Sequence, residues 1–104
     1  MRAVIGIRNT HSIKHHPPPT IWFDSLRQLA GVLSDENRDL LRLIRDREPR
    51  TMLELAVWSG RAASNLSRTL HTLESHGLVR LNRSTDSRAV RPEALITEFL
   101  LVLS

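Results

Sequence analysis

Apolar residues recur along the middle of this chain at helical spacing. Leu40, Leu41, Leu43 and Ile44 form one stripe, and Leu66, Leu70 and Leu73 form another. Both follow the i, i+3, i+4 rhythm of a helix with one buried face. Start and stop signals divide this stretch into helices. Asp24 or Ser25 can cap a short helix through Leu33, with Leu26, Leu29, Ala30 and Leu33 on one face. Ser34 opens the next, with Asp35 and Glu36 in the first turn where the helix dipole favours anions, and Pro49 ends it. Thr51 caps a third helix, MLELAVWSG, closed by Gly60. A fourth runs from Arg61 to His76 and stops at Gly77, a residue suited to a left-handed C-cap.

The rhythm changes outside this stretch. MRAVIGIRN is rich in Val and Ile and reads as a short strand. THSIKHHPPPT reads as a loop, because three prolines remove backbone donors and forbid helix. LVRLNRSTDSRAVR reads as two short strands joined by a polar turn near Ser84 to Ser87. The tail PEALITEFLLVLS fits two readings: a helix with Pro92 in its first turn, or a strand paired with MRAVIGIRN. The strand is preferred. The predicted organisation is residues 1–23 as strand and proline-rich loop, 24–92 as the main domain, and 93–104 as an apolar segment for dimer or partner contact. The predicted class is α+β and mainly helical.

Helices three and four carry the clearest spacing. A helix-turn-helix needs a small residue in its first helix, a Gly at the turn and an apolar anchor in its second helix. Ala56, Gly60 and Leu66 stand at those separations. If Ala62, Leu66, Leu70 and Leu73 face inward, then Arg61, Ser64, Asn65, Arg68, His71, Thr72 and Ser75 face outward. That outer face has no acid before Glu74. It offers Arg and small hydrogen-bonding groups, which can approach base edges and phosphates without repulsion.

Charge sharpens the picture. The 104-residue chain has a net charge of +4 and, apart from Lys14, its basic residues are all Arg. A GC-rich genome also favours Arg, so distribution matters more than total. From Arg61 to Arg91, six Arg stand against Glu74 and Asp86, which accounts for the whole +4. A surplus confined to one third of a domain indicates a binding face. Ser64, Asn65 and Arg68 are the candidates for major-groove contact, since recognition helices read bases mainly from their first half. Thr51, Arg61 and the helix N-terminus are assigned to phosphate. His71 is either a phosphate contact or a neutral surface residue. Arg83, Ser84, Ser87 and Arg88 lie at or near the tip of the predicted hairpin, where a wing meets the DNA backbone or minor groove.

Leu33 to Ile44, Glu54-Leu55-Ala56, Asn65 with Arg68, and Leu73-Glu74 through Gly77-Leu78-Val79 together resemble the MarR-like winged-helix family. The likeness covers residues 24–92 and is strongest to short DNA-binding and antitoxin-type regulators of bacteria and archaea. It implies a winged helix-turn-helix, with recognition helix 61–76 in the major groove and wing 78–91 on the backbone or minor groove. It further implies sequence-specific binding of double-stranded DNA by a homodimer, as a repressor or an antitoxin-type autoregulator with a toxin partner. Ala62 and Ala63 depart from the larger side chains that relatives often carry there.

Other classes find less support. No nucleophile motif, phosphate-binding glycine loop or metal-ligand spacing emerges, so no enzyme and no cofactor are expected. His11, His15 and His16 cluster in the proline-bounded loop beside Lys14, and read as solvated rather than metal-binding. The chain has no Cys, which excludes disulfides. Without Tyr, and with Trp22, Phe23, Trp58 and Phe99 assigned to the core, no stacking platform for RNA is expected. A protein-docking module using AVIGI and LITEFLLVL is the main rival. No long apolar run suggests a membrane span or signal peptide, so a cytoplasmic location is expected.

Overall fold

In the computed structural model, which describes residues 2–7, 21–83 and 89–101, the helix starts follow the hydroxyl signals. Helix α1 (Leu26–Val32) is capped by Ser25, α2 (Asp35–Arg47) by Ser34 and α3 (Met52–Ser59) by Thr51. Each capping oxygen accepts a hydrogen bond from the backbone N–H three residues on, at 3.1, 3.2 and 3.0 Å. The ends are equally local. Helix α2 stops at Glu48, which adopts a left-handed φ of 47° just before Pro49. Helix α4 (Ala63–Ser75) ends in a Schellman motif. There the Leu78 N–H donates to the Leu73 carbonyl and the Gly77 N–H to that of Glu74, both at 2.9 Å. Gly77 has φ of 77°, a conformation that would strain any residue with a Cβ.

Five strands complete the described chain: β1 (Arg2–Ile7), β2 (Ile21–Phe23), β3 (Val79–Arg83), β4 (Val90–Ala94) and β5 (Glu98–Leu101). Strands β3 and β4 form an antiparallel hairpin in which Leu81 lies opposite Pro92 and Arg80 opposite Glu93. The Leu81 N–H turns away from β4 and donates to Glu74 Oε2 at 3.0 Å. The Leu81–Pro92 pair is therefore one that exchanges no ladder bond, and the missing proline donor costs nothing. Strand β1 sits between β2 and β5, both parallel to it, with Ala3 opposite Phe99 and Ile7 opposite Phe23.

One apolar cluster joins these parts. Leu66, Leu70 and Leu73 of α4 are buried with Leu55, Leu40, Leu41, Ile44, Leu78, Val79 and Leu81, and with Ala3, Ile5 and Phe23 from the first strands. Phe23 also stacks on His76 at 4.8 Å between centroids, linking β2 to the end of α4. This is an α+β winged helix-turn-helix with a two-stranded wing and short strands from both ends of the chain. The boundary read at 92/93 falls within β4, since Glu93 and Ala94 belong to that strand.

Several expectations change. Within the tail, Glu98–Leu101 is a strand beside β1, as preferred, and no helix begins at Pro92, which is buried in the hairpin; residues 102–104 lie outside the described residues. Strand β2 appears directly after the segment read as loop, because three residues carry no period of their own until β1 supplies the ladder. On α1 the buried residues are Leu29 and Val32, whereas Leu26 and Ala30 are exposed; a two-turn helix leaning on a sheet buries less than a full stripe. Trp22 is 37% exposed because alternate strand residues point to opposite faces, and Phe23 takes the core side. Trp58 is half-buried beneath the Arg47 guanidinium, 4.1 Å from the ring centroid, and so is not simply core. Ala62 is exposed because it is the N-cap and α4 begins after it.

The burial pattern separates two leucines that look alike in sequence. Leu66 is fully buried whereas Leu53 is 74% exposed. Leu66→Ala is expected to cost about 2–5 kcal/mol, and Leu53→Ala to stay within about 0.5 kcal/mol of the parent. Urea unfolding of the two variants checks this; equal losses would mean that α3 is turned differently.

Candidate nucleic-acid interface

Helix α4 presents a sorted surface. Leu66, Leu70 and Leu73 point into the core, so Ser64, Asn65, Arg68, His71, Thr72 and Ser75 are all exposed. The polar side chains then divide by what holds them. The Thr72 hydroxyl donates to the Arg68 carbonyl at 3.2 Å and the Ser75 hydroxyl to that of Thr72 at 2.6 Å. His71 Nδ1 lies 2.7 Å from the Ser67 carbonyl, which can only accept, so Nδ1 carries the proton and Nε2 faces outward. The side chains of Ser64, Asn65 and Arg68 have no hydrogen-bond or ion-pair partner among the described residues. Glu74, the helix's acid, turns toward β3 to accept the Leu81 N–H and leaves the outer face without negative charge.

The start of α4 is built differently from the starts of the other helices. Ala62 makes no side-chain cap, and no acid lies in the first turn. The first N–H groups of α4 thus keep their capacity to donate outward. Arg61, assigned to phosphate from the sequence, instead ties this end to α2. Its Nη2 donates to the Glu36 carbonyl at 2.8 Å and its Nη1 to Asn37 Oδ1 at 3.2 Å. Asn37 in turn donates through Nδ2 to the Val32 carbonyl at 3.0 Å, so one amide joins the end of α1 to the turn before α4. Thr51 is likewise committed, its hydroxyl oxygen accepting the Glu54 N–H.

Pairing distinguishes the remaining cations. On α2, Arg38 pairs with Asp35, Arg42 with Asp39 at 3.0 Å and Arg45 with Asp46 at 2.7 Å. The Arg45 hydrogen bond holds the Asp46 carboxyl below the usual carboxylate range and raises the guanidinium above its own. That face is self-neutralised and offers little to a polyanion. Arg80 pairs with Glu93 across the wing at 3.8 Å. Arg2, Arg27, Arg50, Arg68, Arg83 and Arg91 are exposed, and none of their guanidiniums has a partner among the described residues.

Arg83 sits at the end of β3 on the way to the wing tip, as expected; Ser84, Ser87, Arg88, and the His11, His15 and His16 cluster lie outside the described residues. Arg27 was not anticipated. It lines a groove of about 280 Å³ with Gln28, Asn37, Arg68, Thr69 and Thr72. Nothing in the sequence signals this, because it depends on how α1 lies beside α4. Among the described residues no three His, Asp or Glu side chains converge as metal ligands, and no helix is long and apolar enough to cross a membrane.

Comparison with known proteins gives two findings. Residues 32–99 match the HVO_A0114 family, a span from the end of α1 into β5. Among solved structures, the chain is similar to one described as the crystal structure of transcriptional regulator PA3341, at 35% identity and a TM-score of 0.48. The match covers 65% of this chain and 52% of that one, so this chain spans about half its length. No curated protein matches the chain.

The Arg61 strut yields a stability prediction. Arg61→Ala removes two charge-assisted bonds at a half-buried seam and is expected to cost about 1–3 kcal/mol. Arg61→Lys should recover only part of this, since one ammonium does not reproduce the two-pronged fork. Thermal unfolding measures both, and an unchanged midpoint for Arg61→Ala would show that the strut holds nothing.

Proposed function

The chain belongs to the HVO_A0114 family, and we propose that it is a transcriptional regulator that reads double-stranded DNA. Fold alone does not establish this. The observation that carries the reading is the outer face of α4. Ser64, Asn65 and Arg68 stand there with no side-chain partner among the described residues, on a helix whose acid is turned away. Asn suits the paired donor and acceptor of adenine, and Arg the two acceptors of guanine. The uncapped N-terminus of α4 receives a phosphate beside them. Arg83 in the wing, with Ser84 and Arg88 beyond it, contacts the backbone or minor groove, and His71 adds a contact through Nε2. Thr51 and Arg61 act on this surface indirectly, by fixing where α3 and α4 begin.

Two copies of so small a chain would place two recognition helices on successive half-sites of a palindrome, the arrangement the MarR-like resemblance implies. Binding at its own promoter would make the protein a repressor or autoregulator. A protein-docking role is the second reading, favoured by Leu100 and Leu101, which are exposed on β5 at the edge of its sheet.

Fluorescence anisotropy separates the two. The full chain is titrated onto its own promoter DNA and onto a random duplex pool across a salt series, beside Asn65→Ala and Arg68→Ala. The parent is expected to prefer the promoter and to weaken steeply with salt as counterions are released. Each variant should lose about 1–3 kcal/mol on the promoter and much less on the pool. A folded parent that binds neither DNA at low salt overturns the regulator reading and leaves the docking role.

A further inference from the structure

Helix α1 lies outside the helix-turn-helix and the wing, yet it brings a cation to the same surface. Arg27 is exposed, has no partner among the described residues, and lines the groove beside the middle of α4 that Arg68, Thr69 and Thr72 also line. The residues lining that groove include no acid. Arg27 and Arg68 both line this cleft, and like charges that share it without a counter-charge in its lining repel each other, weakly in water and more strongly once water is displaced. The group that relieves this is an anion set between them.

The groove is also held in register with α4. At the start of α1, Gln28 Oε1 accepts the Asp24 N–H at 2.7 Å, and at its end Asn37 Nδ2 reaches the Val32 carbonyl at 3.0 Å. The same Asn37 accepts from Arg61 at the turn before α4. A chain of hydrogen bonds therefore runs from α1 through α2 to the helix that carries Arg68. The stretch of α1 that carries Arg27 is thereby held at a set offset from α4.

We infer that Arg27 binds a backbone phosphate of duplex DNA, extending the footprint onto α1 beyond the recognition helix and the wing. This rests on the DNA-reading role of α4. A phosphodiester is the occupant because the groove opens beside the side chains that meet base edges, where the flanking strand must pass. Arg27 then sets orientation and register and reads no sequence itself.

The test uses the full chain and a duplex that the parent binds. Parent, Arg27→Gln and Arg27→Lys are titrated across salt, and ethylation interference maps the phosphates each one needs. One phosphate contact adds about 0.9 to the slope of log affinity against log salt, which is about eight-fold in affinity at 0.1 M. Arg27→Gln is expected to lose that slope and that factor on promoter and random duplex alike, and to lose one interfering phosphate per half-site. Arg27→Lys should keep the slope, because it keeps the charge. If the parent binds but Arg27→Gln retains both its slope and every interfering phosphate, the inference fails while the α4 reading stands. If the parent binds no duplex, both fall. A lowered melting temperature for Arg27→Gln would contradict the partnerless position from which the inference starts.

Discussion

The burial of Leu66, Leu70 and Leu73 fixes the rotation of α4, and most of what this molecule presents to a partner follows from that rotation. All three are completely excluded from solvent, on one helix face, against leucines from α3 and the start of the wing. Rotating α4 by one residue would expose that stripe and bury the row of Asn65 and Thr72 or that of Ser67 and His71, at a cost of several kcal/mol for the apolar groups alone. The outer residues of α4 thus need no interactions of their own to stay where they are. Ser64, Asn65 and Arg68 stand exposed without a partner among the described residues because the leucines behind them hold the helix in place.

Polar groups in this structure sit at seams and set angles. Among the described residues none that is charged or polar is buried, so the core supplies cohesion without much direction. Direction comes from a few bonds at its rim. Asn37 and Arg61 align α1, α2 and the turn into α4. Glu74 holds the first wing strand to α4 through the Leu81 N–H, and Glu93 joins Arg80 and Asn82 across the hairpin. Glu74 and Glu93 are thereby used internally. Its positive surface arises as much from where the carboxylates are turned as from the number of arginines.

Much of this was legible beforehand. The hydroxyl caps at Ser25, Ser34 and Thr51, the left-handed glycines at 60 and 77, and the leucine spacing of α4 are local signals, and each acts within one turn of helix. The four helices and the split of α4 into apolar and polar faces followed from them, while β1 is read from its Val and Ile content. Readings that required a neighbour fared differently. Trp22 and Trp58 look like core residues by size, but one is 37% exposed on β2 and the other lies under Arg47. Arg61 has the charge of a phosphate ligand and the location of a strut.

The sequence by itself determined where helices begin and end and which face of each is apolar, because capping and periodicity act between residues a few positions apart. Only the tertiary structure decided that β1 runs between β2 and β5, that Asn37 lies within reach of Arg61, and that Arg27 shares a groove with Arg68. Those relations join residues tens of positions apart, and no local propensity encodes them. They emerge when the residues of the single apolar core are buried together, and each element takes the position that buries its share.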